Sequence, residues 1–436
     1  MIRRPPRSTL SSSSAASDVY KRQEMMVPCG IPYIFGTLES SNQNIMPVDA
    51  MMGKSGIESI VDEVLTIDKV GKTVTLAGGE TIKWVKLLIA TGSIPVKPNW
   101  LKGKDLENVF VIPKDKAYLD EMIARLRNLK RVIVIGAGFI GVELSDELNK
   151  AGYDVTLVEK QPEILSLAFD TELSSRINAL ILERGVKVLT NSGVSEVCGS
   201  GKVERVLLEN GNSIPADAVI LSMGYKPNTD LAVKSGIEVD HDRFIVVDEY
   251  MRTPTPDIFA IGDCAQKRDF VTRRRTPIML ASTACAEARV AGLNLFNIHV
   301  VKTFSGTIGI YSTSIGDIGF GTAGLTEARA IEEEIAIHTG IFEGVDRHPA
   351  NLPGAHKQLV KLIAAKYSGV IIGGEAIGGE SAGELTNVIG LAIENRMTVN
   401  SLLTSQIGTH PCLTASPAGY PLIKAAEMIA AKMRHW

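Results

Sequence analysis

Residues 131–160, RVIVIGAGFIGVELSDELNKAGYDVTLVEK, constrain this chain more than any other stretch. An apolar, β-branched run at 132–135 reads as a buried parallel strand. Gly136, Gly138 and Gly141 come next in G-x-G-x-x-G spacing. A helical run succeeds them, with Ile140, Leu144 and Leu148 on one face, and Gly152 ends it. A second strand is expected at 155–158, closed by Glu159. Each part has a physical reason. Gly136 permits the tight turn, Gly138 admits a pyrophosphate to the backbone, and Gly141 lets helix and strand pack closely. The helix N-terminus offers free N–H groups and a positive dipole end to phosphates. Glu159 suits a ribose 2′-OH and repels a 2′-phosphate, favouring NADH over NADPH, although Lys160 beside it softens the preference. A lone glycine pattern is weak; strand, glycines, helix, strand and terminal acid in order point to a dinucleotide site.

The chain around this unit is 436 residues long, enough for two or three domains. Its formal net charge of −3 gives no overall footprint for nucleic acid or an anionic membrane. No apolar run approaches the length of a membrane span. Cys29, Cys198, Cys264, Cys285 and Cys412 are scattered without C-x-x-C pairs, so neither a disulfide framework nor a zinc site is expected. A reducing cytoplasm fits that usage, and no metal is expected.

Residues 1–23 are rich in Ser and Arg and differ in character from the rest of the chain. They read as a non-native or disordered leader rather than a secretory signal, since no apolar h-region is present. From Glu24 the sequence runs EMMVPCGIPYIF. Gly30 and Pro32 suit a tight strand-to-helix entry, which would set Cys29 near a helix N-terminus and lower its thiol pKa. A buried structural cysteine is an equal reading.

Strands are expected at 61–67, 73–76, 81–84 and 86–95, the last carrying Ala90-Thr91-Gly92. The period of 114–129 is helical. Further on, 170–184 reads as a helix, 186–189 as a strand, and 203–208 with 213–221 as a hairpin across Asn210-Gly211. A strand is expected at 244–247 and another at 257–263, DIFAIGD, ending in Gly262-Asp263. An acid at a strand end beside glycine suits a chain of sugar hydroxyls. The helix expected at 280–296 has a small-residue face, and its N-terminus suits a ligand carbonyl. Beyond Lys302 the alternating, Gly-rich pattern indicates a mixed α+β domain with strands within 303–320 and at 356–363 and 369–377. Helices are expected there at 327–334, 383–395 and 422–433.

Four motifs in order, CGIPY from Cys29, Ala90-Thr91-Gly92, the glycine unit to Glu159, and Gly262-Asp263-Cys264, resemble the FAD-dependent pyridine nucleotide–disulfide oxidoreductases. The chain is most similar to the single-cysteine branch: coenzyme A disulfide reductases, NADH oxidases and NAD(P)H polysulfide reductases. The resemblance implies an α/β fold with two Rossmann-like dinucleotide-binding domains, the first incomplete, plus a C-terminal α+β dimerisation domain. The expected divisions are 24–112 with 223–299 for FAD, 113–222 for NAD(H), and 300–436 for dimerisation. Family members open with a glycine fingerprint for FAD that has no counterpart before Cys29, so the chain resembles an N-terminally truncated member.

By the same resemblance, Cys29 would be the redox cysteine. Thr91, Gly92, Gly262 and Asp263 would hold FAD, and the helix starting at Ala281 would face the flavin. Gly136, Gly138, Gly141 and Glu159 would hold NADH or NADPH, with Glu143 near the nicotinamide. His410, followed by Pro411, would be presented by the mate of a homodimer; a solvated or capping histidine is the plain reading. With no second cysteine close in sequence, Cys29 would form a mixed disulfide or persulfide, giving disulfide or polysulfide reduction, or a sulfenic acid, giving NADH oxidase or peroxidase chemistry. Cys412 beside His410 is a minor candidate for resolving the intermediate. An inactive NADH-binding fragment without FAD and a dimerising scaffold are the readings from other classes.

Overall fold

The structure is a computed structural model describing residues 25–47, 56–301 and 303–433. The leader reading of residues 1–23 and residue Glu24 lie outside the described residues.

The glycine unit sits in a five-stranded parallel sheet. Its order is Val109–Val111, Ala218–Leu221, Arg131–Ile135, Asp154–Val158, Lys187–Leu189. The central strand is apolar on both sides because both faces are covered. Val132 and Val134 join the core built with helices Lys116–Leu126, Phe139–Lys150 and Thr171–Glu183. Ile133 and Ile135 face the opposite way, against Val194, Val197 and Val206 of a small antiparallel sheet. Val109–Val111 pairs into this sheet, so the sheet extends across the 112/113 division expected from sequence.

A second, smaller parallel pair joins Leu87–Ile89 to Ile258–Ala260. Ser93–Pro95 and Tyr225–Pro227 pair beside it, and Val64–Asp68, Thr73–Leu76 and Thr81–Lys83 form a meander. The C-terminal region is a five-stranded antiparallel sheet in the order Tyr311–Ile315, Ile318–Gly324, Ile371–Gly378, Lys357–Ala365, Ile337–Val345. Helices Ser381–Glu394 and Pro421–Met433 bury apolar faces on it.

The nucleotide unit and the C-terminal sheet share one core. Ile315, Phe320, Leu359 and Ile377 pack with Leu144, Phe169 and Leu173, and so do Ile31, Ile34 and Phe35 from the segment after Cys29. Phe139, the first helical residue after Gly138, stacks on Tyr311 with centroids 5.0 Å apart. No described helix is long and apolar enough to cross a membrane.

Several expectations are corrected. The 86–95 strand is two strands, broken where Gly92 turns at a φ of +66°. The 213–221 arm of the hairpin also divides: Ser213–Pro215 closes the hairpin, and Ala218–Leu221 leaves for the parallel sheet because Ala216 and Ala218–Leu221 are all buried. The 244–247 segment makes only isolated bridges, from Ile245 to Val239 and Ala265. Strand Ile337–Val345 has no expectation to match; its burial mixes one buried position, Gly340, with half-buried and exposed ones, so no clean alternation marks it.

Candidate active site

Gly136, Gly138 and Gly141 divide the labour as their spacing requires. Gly136 has a φ of +102°, and a Cβ there would lie 2.4 Å from the Ser222 carbonyl oxygen. A Cβ on Gly141 would lie 1.9 Å from the Gly136 carbonyl oxygen, so helix and loop touch through hydrogen alone. A Cβ on Gly138 would meet nothing within 4 Å beyond its own chain neighbours. That open side, at a helix N-terminus without a side-chain cap, fits a pyrophosphate. Glu159 closes the loop: one carboxylate oxygen accepts from the Ala137 N–H at 2.7 Å and the other from the Gln161 N–H at 2.8 Å. Each oxygen keeps a lone pair for a ribose hydroxyl. Lys160 points to Glu209 at 3.3 Å. The residues present fit a nicotinamide dinucleotide.

Cys29 lies in a 3-10 turn, Pro28–Gly30, followed by a second, Pro32–Phe35. No α-helix begins there, which corrects the expected helix-terminus activation. Three-residue turns sum too few peptide dipoles to lower a thiol pKa. The thiol is instead pushed up by burial and by Glu143, with Lys114 opposing and Asp263 adding to the rise. Cys29 as a whole residue is exposed. All five cysteines are unpaired.

Glu143 stands one turn into the helix that begins at Phe139. Burial pushes its carboxyl up to about 7, helped by Glu147; the Thr313 hydroxyl, which has no tight partner of its own, works the other way. Burial and Glu143 also raise the Tyr33 phenol. Cys29, Tyr33 and Glu143 therefore form one electrostatic cluster at the seam between the nucleotide unit and Thr313 of the C-terminal sheet.

Asp263 and Gly262 occupy a 3-10 turn after strand Ile258–Ala260. The Asp263 carboxylate accepts from the Ser93 hydroxyl at 2.7 Å and pairs with Lys114 at 2.9 Å. Burial works to raise it, and Lys114 and Ser93 outweigh burial, leaving it below the usual carboxylate range. Thr91 donates to the Asn228 carbonyl at 2.5 Å, and Gly92 and Gly262 both take positive φ. Helix Ala281–Asn294 starts with Ala281 and Ser282 exposed and no side-chain cap. An acid at a strand end, two left-handed glycines and a free helix N-terminus fit the ribityl and ring portion of a flavin.

His410 is not brought to Cys29 within this chain. It is exposed in its own loop, where its N–H donates to the Thr414 hydroxyl and the Pro411 carbonyl accepts from the His348 N–H. Cys412 shares that exposed loop. Sequence reasoning missed Lys114, Tyr33 as a charged-cluster member, and Thr313. Lys114 falls in no motif, and only folding carries it to Asp263, 149 positions on.

Residues 11–288 match the family described as pyridine nucleotide-disulphide oxidoreductase, and residues 310–418 match its dimerisation domain. An NADH oxidase of Methanocaldococcus jannaschii is 30% identical over 414 residues, covering 92% of this chain and 89% of its own length. An NAD(P)H coenzyme A polysulfide/persulfide reductase of Pyrococcus horikoshii is 28% identical, with 92% and 89% covered. The solved NAD-dependent persulfide reductase of A. fulgidus superposes with a TM-score of 0.85 at 29% identity, covering 94% of this chain and 77% of that one.

Proposed function

Because this chain belongs to the pyridine nucleotide-disulphide oxidoreductase family, we propose that it carries electrons from NAD(P)H to Cys29 and on to a small disulfide or persulfide. It is an oxidoreductase whose cofactors are FAD and NAD(P)H. Bound FAD supplies the two-electron relay between nicotinamide and sulfur. The chain's own residues do the rest. Gly138 and the helix N-terminus receive the pyrophosphate, and Glu159 takes the ribose. Asp263, Thr91, Gly92 and the Ala281 helix end orient the flavin. Cys29, as thiolate, attacks one acceptor sulfur; the S–S bond breaks, a mixed disulfide forms, and the leaving thiolate takes back the proton held by Glu143. Two electrons then cleave the mixed disulfide into the Cys29 thiolate and a second thiolate, which takes a proton from solvent and leaves as thiol. Glu143 takes the Cys29 proton before attack.

The observation that carries this reading is the Cys29–Glu143 neighbourhood. A cysteine with no disulfide partner lies within electrostatic reach of a carboxyl whose pKa of about 7 suits a base at neutral pH. The dimerisation-domain match supports a homodimer, in which His410 would come from the partner. A second reading, an NADH oxidase with a Cys29 sulfenic acid, is favoured by the likeness to the NADH oxidase of Methanocaldococcus jannaschii. The test is NADH oxidation with coenzyme A disulfide, polysulfide or oxygen as sole acceptor. Disulfide-dependent turnover is expected. Oxygen consumption with no disulfide turnover replaces the first reading by the second.

A further inference from the structure

We propose that Lys267 and Glu287 are positioning residues for the flavin: together they grip both backbone groups of Gly262 and hold Asp263 and the helix Ala281–Asn294 in one fixed relation. The proposal rests on FAD as the cofactor and not on the identity of the acceptor.

Two separate elements fit the flavin, the turn Gly262–Cys264 and the helix Ala281–Asn294. A ribityl chain at Asp263 and a ring at the helix N-terminus belong to one molecule, so the two elements must keep their spacing. Apolar packing between them does not secure it. Phe259 and Ile261 pack with Ala288 and Ala291 of the helix. Such contacts are non-directional: they bring helix and strand together without fixing how far along its axis the helix sits. The turn has a second freedom. Gly262 holds a φ of +72°, and glycine has no side chain to keep it there.

The buried pair removes both freedoms. Glu287, in the second turn of the helix, accepts from the Gly262 N–H at Oε2, 2.7 Å away. Lys267 follows the turn, and its Nζ donates to the Gly262 carbonyl at 2.5 Å and the Ala265 carbonyl at 3.0 Å. Nζ lies 3.6 Å from Glu287 Oε1, and both side chains are 0% exposed. Gly262 is thus held at its N–H from the helix and at its carbonyl from the chain beyond the turn. Asp263 comes next, with its own carboxylate on Ser93 and Lys114.

Stability alone is a poor reason for this arrangement. Burying two charges is costly, and an apolar pair of similar volume often does as well. The two charges also meet loosely, since Glu287 Oε1 has no hydrogen-bond partner. The close contacts of both side chains go to the backbone of the turn, which is where a positioning device would direct them.

Two uncharged replacements separate placement from packing. Lys267→Met with Glu287→Leu removes both grips on Gly262 and leaves no charge unpaired. Lys267→Met with Glu287→Gln keeps an amide oxygen for the Gly262 N–H and loses only the grip on the carbonyls. The full chain is freed of flavin. FAD affinity is then measured by ultrafiltration, NADH affinity by fluorescence, and Tm without ligand. The assays run at pH 8, above the value of about 7 to which burial pushes the Glu287 carboxyl, so that the native pair is charged. The Met/Leu variant is expected to lose at least about tenfold in FAD affinity, and the Met/Gln variant less. Tm is expected to stay within about four degrees in both. NADH affinity at the distant glycine loop is expected to stay within about twofold. Unchanged FAD affinity in the Met/Leu variant overturns the proposal, and so does a parallel loss of FAD and NADH affinity, which would mean general loosening. Should the Met/Leu variant be unfolded at the assay temperature, Met/Gln decides: lower FAD affinity with NADH affinity kept supports the proposal, and FAD affinity kept overturns it. A native chain that takes up no FAD overturns the proposal together with the flavin assignment. No turnover is read, so failure of the sulfur-reductase reading would leave this result standing.

Discussion

Lys361 and Asp170 meet at 3.0 Å across the seam between the nucleotide unit and the C-terminal sheet, with 1% and 6% of their side chains exposed. Asp170 precedes helix Thr171–Glu183, yet its carboxylate also accepts from the backbone of Glu327 at 2.8 Å and Ala328 at 3.1 Å, capping a helix of the other region. Lys361 further pairs with Glu172 and Glu327. Four carboxyls thus crowd one ammonium, because Glu375 lies directly across the ladder from Lys361 and accepts from the Asp170 N–H at 2.7 Å.

Burial and then Asp170 push the Glu375 carboxyl up to about 8. The folded protein therefore keeps a proton that the unfolded chain gives up near the ordinary glutamate value of 4.5. More protons bound in the folded state means that stability falls as pH rises from about 4.5 to about 8, then levels. Glu375→Gln is expected to flatten that part of the Tm-against-pH curve. Lys361→Met leaves the carboxylates unpaired and is expected to cost about 3 kcal/mol in denaturant unfolding. A wild-type slope unchanged in Glu375→Gln would remove the proton from the seam.

The three glycines of the nucleotide loop separate stability from binding. Gly138 has an ordinary φ of −74° and open space around it. Gly138→Val is expected to leave Tm within a degree or two, while NADH affinity measured by fluorescence falls at least about tenfold, or about 1.4 kcal/mol. Gly141→Ala drives a methyl into the Gly136 carbonyl and is expected to destabilise by about 1–3 kcal/mol. Equal loss of stability in both variants would mean that Gly138 packs rather than binds.

The sequence makes some of this legible and hides the rest for identifiable reasons. Residues 131–160 are readable because strand, turn, helix and acid are all local, and Arg131–Ile135, Phe139–Lys150 and Asp154–Val158 fall where the pattern puts them. Thr73–Leu76 and the terminal helix are readable for the same reason. For Cys29 the motif is legible and the local structure is not, since Pro28 and Pro32 produce two 3-10 turns in place of an α-helix. Lys114, Thr313 and the Asp170–Lys361 seam depend on contacts between residues more than a hundred positions apart. No periodicity or motif encodes such contacts.

Removing the sulfur tests the electron path. Cys29→Ser keeps the turn but not the nucleophile. NADH affinity is expected to stay unchanged, because the glycine loop and Glu159 do not touch this residue, while disulfide reduction falls by several orders of magnitude. Retained disulfide reductase activity would take Cys29 out of the mechanism.

Glu143 gives the pH dependence a definite sign. Its carboxyl titrates at about 7, well above the usual glutamate value, and only the ionised form accepts the Cys29 proton. Below that pH the base is occupied; above it the base is free. The rate of disulfide reduction at saturating NADH is therefore expected to rise through pH 7. Glu143→Gln cannot take the proton, so its rate is expected to fall by about a hundredfold and lose the inflection. It also removes one of the two negative charges acting on Cys29, so thiol labelling in this variant moves to lower pH even as turnover falls. A structural role for Glu143 would lower both together, and opposite movements of labelling and turnover separate a base from a packing residue.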